Sequence, residues 1–318
     1  MNLYNNLKKK LKRLKRNLGA LPPIVSSVIK FSNSKIRIIT YHGISSSALS
    51  ILEFEKQLKF ISNHFDNYWV SEIPHLLNTN IKSKPKIILT FDDGLKNHIT
   101  NVVPLLKKYN LKSTFYVPIN LIEENKFLWN HELKCLLMSM ENNNLPKNIQ
   151  EIIGSCLFEK ENINDYIEKI KKLNHEYKIN IIEELKRNNK IIYEQWMLEE
   201  YQLMNLNDLI NISSLVEIGS HTLNHPILTT ISKENLIEEI RESRFRLEKF
   251  LNKPVVSFCY PNGIYSDEII NIVKNYYPIG VSTDEGFVTS RDNISILKRI
   301  PAGKNMQEFL LRLIKPTS

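Results

Sequence analysis

Short apolar, β-branched runs alternate along the chain with stretches of helical periodicity. Lys35 to Gly43 reads as a first strand whose tip is His42, and Phe54, Leu58 and Ile61 in Glu53 to His64 fall at helical spacing. Lys86 to Phe91 is a second apolar run that stops abruptly on Asp92, Asp93 and Gly94. A helix is predicted around Ile99 to Tyr109, made irregular by Pro104, and a strand over Ser113 to Val117. The rhythm resumes with Leu215 to Gly219, which runs into Ser220-His221-Thr222-Leu223-Asn224-His225-Pro226. Ser232 is placed to cap a helix that carries Leu236, Ile240, Leu247 and Leu251 along one face. Pro254 to Cys259 is the next strand and enters Tyr260-Pro261-Asn262-Gly263; Ser266 caps another helix, and Ile279 to Thr283 and Ser295 to Ile300 are the last two strands. Strand and helix in alternation predict an α/β fold, either a parallel sheet or a barrel.

Residues 122–208 break this rhythm. They are rich in Asn, Lys, Glu and Leu, and Leu133, Leu136, Leu137 and Met140 are spaced helically, so a helical insertion is expected there. Between two core strands such an insertion is expected to form a lid or rim on the face where loops gather.

The formal charge of +9 changes the picture only at one end. Residues 1–52 hold ten Lys and Arg and no acid, whereas the remainder holds 33 basic against 34 acidic residues. The body is therefore balanced, and nucleic acid is not an expected partner for it. Within the basic end, Leu3, Leu7, Leu11, Leu14 and Leu18 trace one face of a helix while seven of the nine residues 8–16 are basic. Residues 1–32 are thus expected to be a separate amphipathic arm, with residues 33–318 forming the main domain. Such an arm favours docking on an anionic membrane surface over a solvated or partner-bound helix. Pro22-Pro23 and Ser26-Ser27 interrupt any signal-peptide core, and no apolar run reaches 18 residues. The expected location is cytoplasmic, peripheral on the inner face of the cell membrane. Cys135, Cys156 and Cys259 are scattered and lack metal spacing, so they read as buried hydrophobes.

Three strand tips carry chemistry: His42, the pair Asp92-Asp93, and the pair His221/His225. Adjacent buried aspartates repel unless a cation or proton sits beside them. One carboxylate and two imidazoles make a three-ligand set that leaves open positions on a divalent metal, and the second aspartate is then free to act as a base. Pro226 disfavours a helical conformation at His225, so the histidine pair is expected on a loop. His64, His75, His98, His131 and His175 have no comparable context and are read as structural or solvated.

Thr90-Phe91-Asp92-Asp93-Gly94, Ser220 to Pro226 and Phe258-Cys259-Tyr260-Pro261-Asn262-Gly263 resemble, in this order, the successive motifs of the polysaccharide deacetylase family, carbohydrate esterase family 4. The resemblance spans roughly residues 35–305 and leaves 122–208 outside it. It implies a distorted (β/α) barrel and a divalent metal, commonly zinc, used to remove acetyl groups from amino sugars, N-acetyl more often than O-acetyl. Carried over by motif, Asp92 is the catalytic base, and Asp93, His221 and His225 are the metal ligands. The Tyr260 backbone N–H completes the oxyanion site. Tyr41-His42-Gly43 matches the subgroup in which the strand-end histidine is the general acid. The chain departs from the family in two places: no arginine precedes Tyr260-Pro261, and no histidine follows His225. Arg299, at the end of the final strand, is the expected substitute partner for the base, and the missing C-terminal histidine strengthens the assignment of His42 as acid. The implied substrate is an N-acetylated glycan or a lipid- or nucleotide-linked sugar precursor. The competing readings are a catalytically silent glycan-binding module and a metal hydrolase of non-sugar amides.

Overall fold

The computed structural model describes residues 35–78, 84–140, 147–153, 159–188 and 192–316. The N-terminal arm expected over residues 1–32, with its basic helix, and Cys156 lie outside the described residues. Eight strands form one parallel sheet: β1 (Ile36–Tyr41), β2 (Asp66–Tyr68), β3 (Lys86–Phe91), β4 (Thr114–Val117), β5 (Glu217–Ser220), β6 (Ser257–Cys259), β7 (Ile279–Glu285) and β8 (Leu297–Pro301). Their order is β1-β8-β7-β6-β5-β4-β3-β2, and β1 also pairs with β3. That extra pairing closes seven strands into a barrel. β2 lies against the first half of β3, opposite Lys86 to Ile88, while β4 takes the second half at Thr90 and Phe91.

The run pattern explains the layers. In a closed parallel barrel both faces are covered, so strands such as Ile87-Ile88-Leu89 are apolar throughout. Ile39, Tyr41, Leu89, Phe91, Phe115 and Phe258 point outward and pack under the helices, whereas Ile38, Ile88, Tyr116, Cys259 and Val281 point inward. Gly219 on β5 is required by this filling: a Cβ there would lie 2.3 Å from the Tyr116 ring.

The cap residues act as expected. Ser232 accepts from Asn235 N at the start of the helix Lys233–Leu251, and Ser266 from Ile269 N at the start of Asp267–Tyr276. Pro104 has a specific effect. It has no N–H to give to an α-helical partner, and the preceding turn, His98–Val102, widens to a π-helix before regular helix resumes at Val103–Tyr109. A closing helix, Met306–Ile314, buries Phe309, Leu310 and Leu313 and has no counterpart in the predicted elements.

Between β4 and β5 the described residues are helical, including Trp129–Ser139, Ile163–Ile170, His175–Asn188 and Gln195–Tyr201. They have a core of their own, built on Trp129, Leu133, Leu137, Ile170 and Ile182, which takes in Ile227 just beyond Pro226. The end of this region is strapped to the turn after β3. Lys96 N donates to Gln202 O (2.7 Å), Met204 N to Gly94 O (2.9 Å), and Leu95 bridges Leu203. The Ser45 hydroxyl donates to Glu200 at 2.6 Å, tying the loop after β1 to the same segment. The helical region therefore borders the barrel at the C-terminal ends of its strands.

Candidate active site

All strands of the barrel run parallel, so the residues that follow them share one face. His42 follows β1, Asp92 and Asp93 follow β3, and His221 follows β5. The ladders extend slightly past the strands: Asp92 N donates to Tyr41 O and His221 N to Val117 O, both at 3.0 Å. Asp92 is thereby held beside His42. Asp93 and Gly94 then both adopt positive φ, 76° and 64°, turning the chain so that the second carboxylate faces a different direction from the first.

Asp93 Oδ1 lies 3.5 Å from Nε2 of His221 and 3.5 Å from Nε2 of His225. The three ligand-type atoms fall within 4.8 Å of one another, and all three residues are buried. His221 donates its Nδ1–H to Cys259 O at 2.7 Å, which leaves Nε2 as a lone pair aimed at the carboxylate. A neutral imidazole so oriented and a carboxylate present acceptor to acceptor, an arrangement that only a cation or an added proton satisfies. The donor set fits a divalent ion: two imidazole nitrogens and one carboxylate. Burial opposes the charge on Asp93, yet His221, His42 and His225 hold its carboxyl well below the ordinary range. Burial likewise disfavours a charged His221, but Cys259, Asp93 and Asp92 raise it well above the ordinary imidazole value. Burial, reinforced by His221, pushes His225 down to about 3.

Asp92 belongs to a different network. Arg299 reaches it with both guanidinium nitrogens, Nη1 to Oδ1 and Nη2 to Oδ2, each at 2.7 Å. Burial would raise the Asp92 carboxyl, but the charge and hydrogen bonds of Arg299 outweigh it and the carboxyl stays below its ordinary value. Arg299 is itself held by Ser282 O (2.7 Å) and Thr90 Oγ1 (3.1 Å). The Cys259 thiol lies 3.5 Å from Asp92 Oδ2 and is kept protonated by its burial. Asp92, His221 and Cys259 also come within ligand range of one another, but the bidentate grip of Arg299 already occupies the Asp92 carboxylate.

His42 stands on the open side. Its side chain is 58% exposed and its Nε2 lies 3.9 Å from Asp92 Oδ2. Its backbone carbonyl accepts from Nε2 of His98, a buried histidine packed edge-on against Phe91 and Phe115. Beside the loop that follows β1 opens a cleft of about 650 Å³, lined by Ser45, Lys96, Asn101, Gln195 and Glu199.

Tyr260, whose backbone N–H is expected to complete the oxyanion site, directly follows β6. β6 keeps pairing with β7 through this residue, so the Tyr260 N–H points sideways and donates to Val281 O at 3.3 Å. The hydroxyl is also engaged, donating to Ser295 O at 2.8 Å. The Tyr260 amide thus pairs with β7 in this structure.

Two histidines read as structural or solvated in the sequence lie close to this site. His98 orients the His42 loop, and His131, on Trp129–Ser139, packs against the Tyr201 ring (4.7 Å between centroids). Burial pushes His131 down to about 4, and the charges of Asp93 and His42 reach it. No local motif marks either residue; helical insertion and barrel must meet before His131 has any relation to Asp93.

The sequence profile described as polysaccharide deacetylase matches residues 79–205 and 196–277. The poly-beta-1,6-N-acetyl-D-glucosamine N-deacetylase of Staphylococcus aureus is 22% identical over 284 residues, covering 89% of this chain and 74% of that protein. Among solved structures, the Streptococcus pyogenes deacetylase PplD in complex with acetate superposes with a TM-score of 0.60 at 22% identity, over 89% of this chain and 99% of PplD. IcaB from Ammonifex degensii gives 0.57 at 14% identity, over 88% and 97% of the two chains. Both structures share the barrel fold. With the profile covering the strand-tip aspartates and the histidine loop, the chain belongs to the polysaccharide deacetylase family.

Proposed function

We propose that the protein is a divalent-metal-dependent hydrolase that removes acetyl groups from an N-acetylated amino-sugar glycan. The observation that carries this reading is the convergence of His221 and His225 on Asp93, with a second, arginine-held carboxylate next to it in the chain. Asp93, His221 and His225 would hold the ion, and this donor set suits Zn²⁺. When bound, such an ion polarises an acyl oxygen and brings the pKa of water from 15.7 toward about 7.

The remaining steps belong to the chain's own residues. Asp92 stays ionised through the neutral range because Arg299 neutralises it, and it accepts the proton of the attacking water. Arg299 also fixes the direction of that carboxylate, a contribution of position rather than of proton transfer. As the amide C–N bond breaks, His42 delivers a proton to the departing amine from the solvent side of Asp92, leaving acetate and a free amino sugar. His98, bonded to the His42 carbonyl, limits how far that loop can drift.

The relative from Staphylococcus aureus is named for poly-beta-1,6-N-acetyl-D-glucosamine, and that polymer is the first substrate to try. We also infer that residues 1–18 seat the protein on an anionic membrane surface at the cytoplasmic side, on the strength of their basic amphipathic pattern.

The test is acetate release from N-acetylated oligosaccharides by protein stripped with chelator and reloaded with Zn²⁺. Release that disappears on stripping and returns on reloading is expected. Tight metal binding with no acetate from any N-acetylated glycan would overturn the reading in favour of a glycan-binding module.

A further inference from the structure

The loop that carries both histidine ligands is held in an unfavourable backbone conformation. Thr222 has φ 70° and His225 φ 55°, and neither is glycine. A β-branched residue at positive φ is a genuine outlier, and such conformations persist only where the surroundings over-determine them. The surroundings here converge on one side chain. Glu239, buried on the helix Lys233–Leu251, accepts Leu223 N–H at 2.8 Å and Asn224 N–H at 3.0 Å through Oε2, and the Asn224 side-chain amide at 2.7 Å through Oε1. Next to these contacts, the Thr222 hydroxyl oxygen accepts His225 N–H at 2.9 Å. One turn further along the same helix, Ser243 receives the Ser220 hydroxyl at 2.8 Å, just ahead of His221.

We propose that Glu239 is the positioning residue that presets the Thr222–His225 loop, so that the His221 and His225 Nε2 atoms face Asp93 before any metal arrives. The proposal rests on the reading of Asp93, His221 and His225 as a metal site, and it extends that site outward to a carboxylate that touches none of the three. The physical logic is that a carboxylate forms charge-assisted hydrogen bonds, stronger than neutral ones, and here three donors from two successive residues, Leu223 and Asn224, point at it. The Thr222 hydroxyl oxygen accepts His225 N–H, so fixing the adjoining Leu223 and Asn224 amides also steadies the turn that carries His225. Neither Glu239 nor Ser243 belongs to the motif that bears the histidines; the helix Lys233–Leu251 supplies both from the same face, four residues apart.

Outer groups that orient metal ligands typically govern affinity by about 10–100-fold. Co²⁺ titration followed by its visible absorption, and hydrogen exchange of the Leu223 and Asn224 amides in metal-free protein, are measured on wild type, Glu239→Gln, Glu239→Ala and Leu247→Ala. Glu239→Ala is expected to weaken Co²⁺ binding by about 10–100-fold and to unprotect both amides. Glu239→Gln, which keeps one acceptor oxygen, falls between. Leu247→Ala removes buried packing from the same helix and lowers the melting temperature while leaving Co²⁺ affinity and both amides as in wild type. Unchanged amide protection in Glu239→Gln and Glu239→Ala overturns the proposal, as does a loss of Co²⁺ affinity in Leu247→Ala equal to theirs. If wild type itself binds no Co²⁺, the metal reading fails, and the exchange measurement alone decides whether Glu239 holds the loop.

Discussion

Arg299 grips Asp92 across the barrel with two hydrogen bonds of 2.7 Å, although the two residues are 207 positions apart in the chain. Both partners are almost completely buried, with side-chain exposures of 1% and 3%. The pair therefore sets the charge, the direction and the stability of the carboxylate proposed as the base.

Replacing Arg299 by Ala is expected to do two separable things. Leaving a buried carboxylate unpaired costs about 3–5 kcal/mol of folding stability, which chemical denaturation would read. The Asp92 carboxyl, now held down by no guanidinium, rises, so the acidic limb of the kcat/KM profile moves to higher pH. The sign follows from the depressed folded-state value: the stabilisation from ionised Asp92 is present above the ordinary carboxylate range and is lost only as pH falls through the lower, folded-state value. An Arg299→Ala protein with an unshifted acidic limb would separate Asp92 from the rate-controlling proton transfer.

Asp92→Asn and His221→Ala should fail in different ways. The first keeps Asp93, His221 and His225 and is expected to retain bound metal while turnover falls by about 10²–10⁴-fold. The second removes one of the three ligands and should lose metal and turnover together. Metal content by atomic absorption beside acetate release distinguishes the two; full activity in Asp92→Asn would assign the base elsewhere.

His42 is exposed, so His42→Ala should leave the melting temperature nearly unchanged. Turnover of an N-acetyl substrate is expected to drop by about 10²–10⁴-fold. An activated aryl acetate, whose leaving group departs without protonation, should be cleaved almost as well as by wild type. Equal losses on both substrates would argue that His42 shapes the site and does not donate the proton.

The basic arm can be tested without reference to catalysis. Full-length protein should co-sediment with vesicles containing anionic lipid and be released as salt rises, because each Lys or Arg near the surface contributes about 1 kcal/mol that screening removes. Protein beginning at Asn33 should remain in the supernatant. Equal pelleting of the two would rule out the arm as the membrane contact.

The predicted elements were largely those observed, because apolar runs and cap residues act through local geometry. Ser232 and Ser266 cap their helices in the way their positions implied, and Pro104 disturbs its helix as its missing N–H requires. The direction of the Tyr260 amide depends on whether β6 still pairs with β7 at that residue, which no stretch of sequence around it states. His98, His131 and Glu239 were unmarked for a similar reason. Each matters only through a neighbour brought close by folding.

By itself the sequence determined that reactive groups stand at strand ends: a residue's place after an apolar run is covalent, and parallel strands put every such end on one face. Hence Asp92, Asp93, His42 and His221 could be named together from order alone. Arg299 could be named from its strand end only as the expected partner of the base; the tertiary structure decided how it reaches Asp92. The barrel closes β1 onto both β3 and β8, and this closure carries Arg299 through the interior to Asp92, while the helix Lys233–Leu251 lays Glu239 beneath the histidine loop. Those partnerships depend on strand order, on register and on which side chains point inward, and these are properties of the closed barrel as a whole.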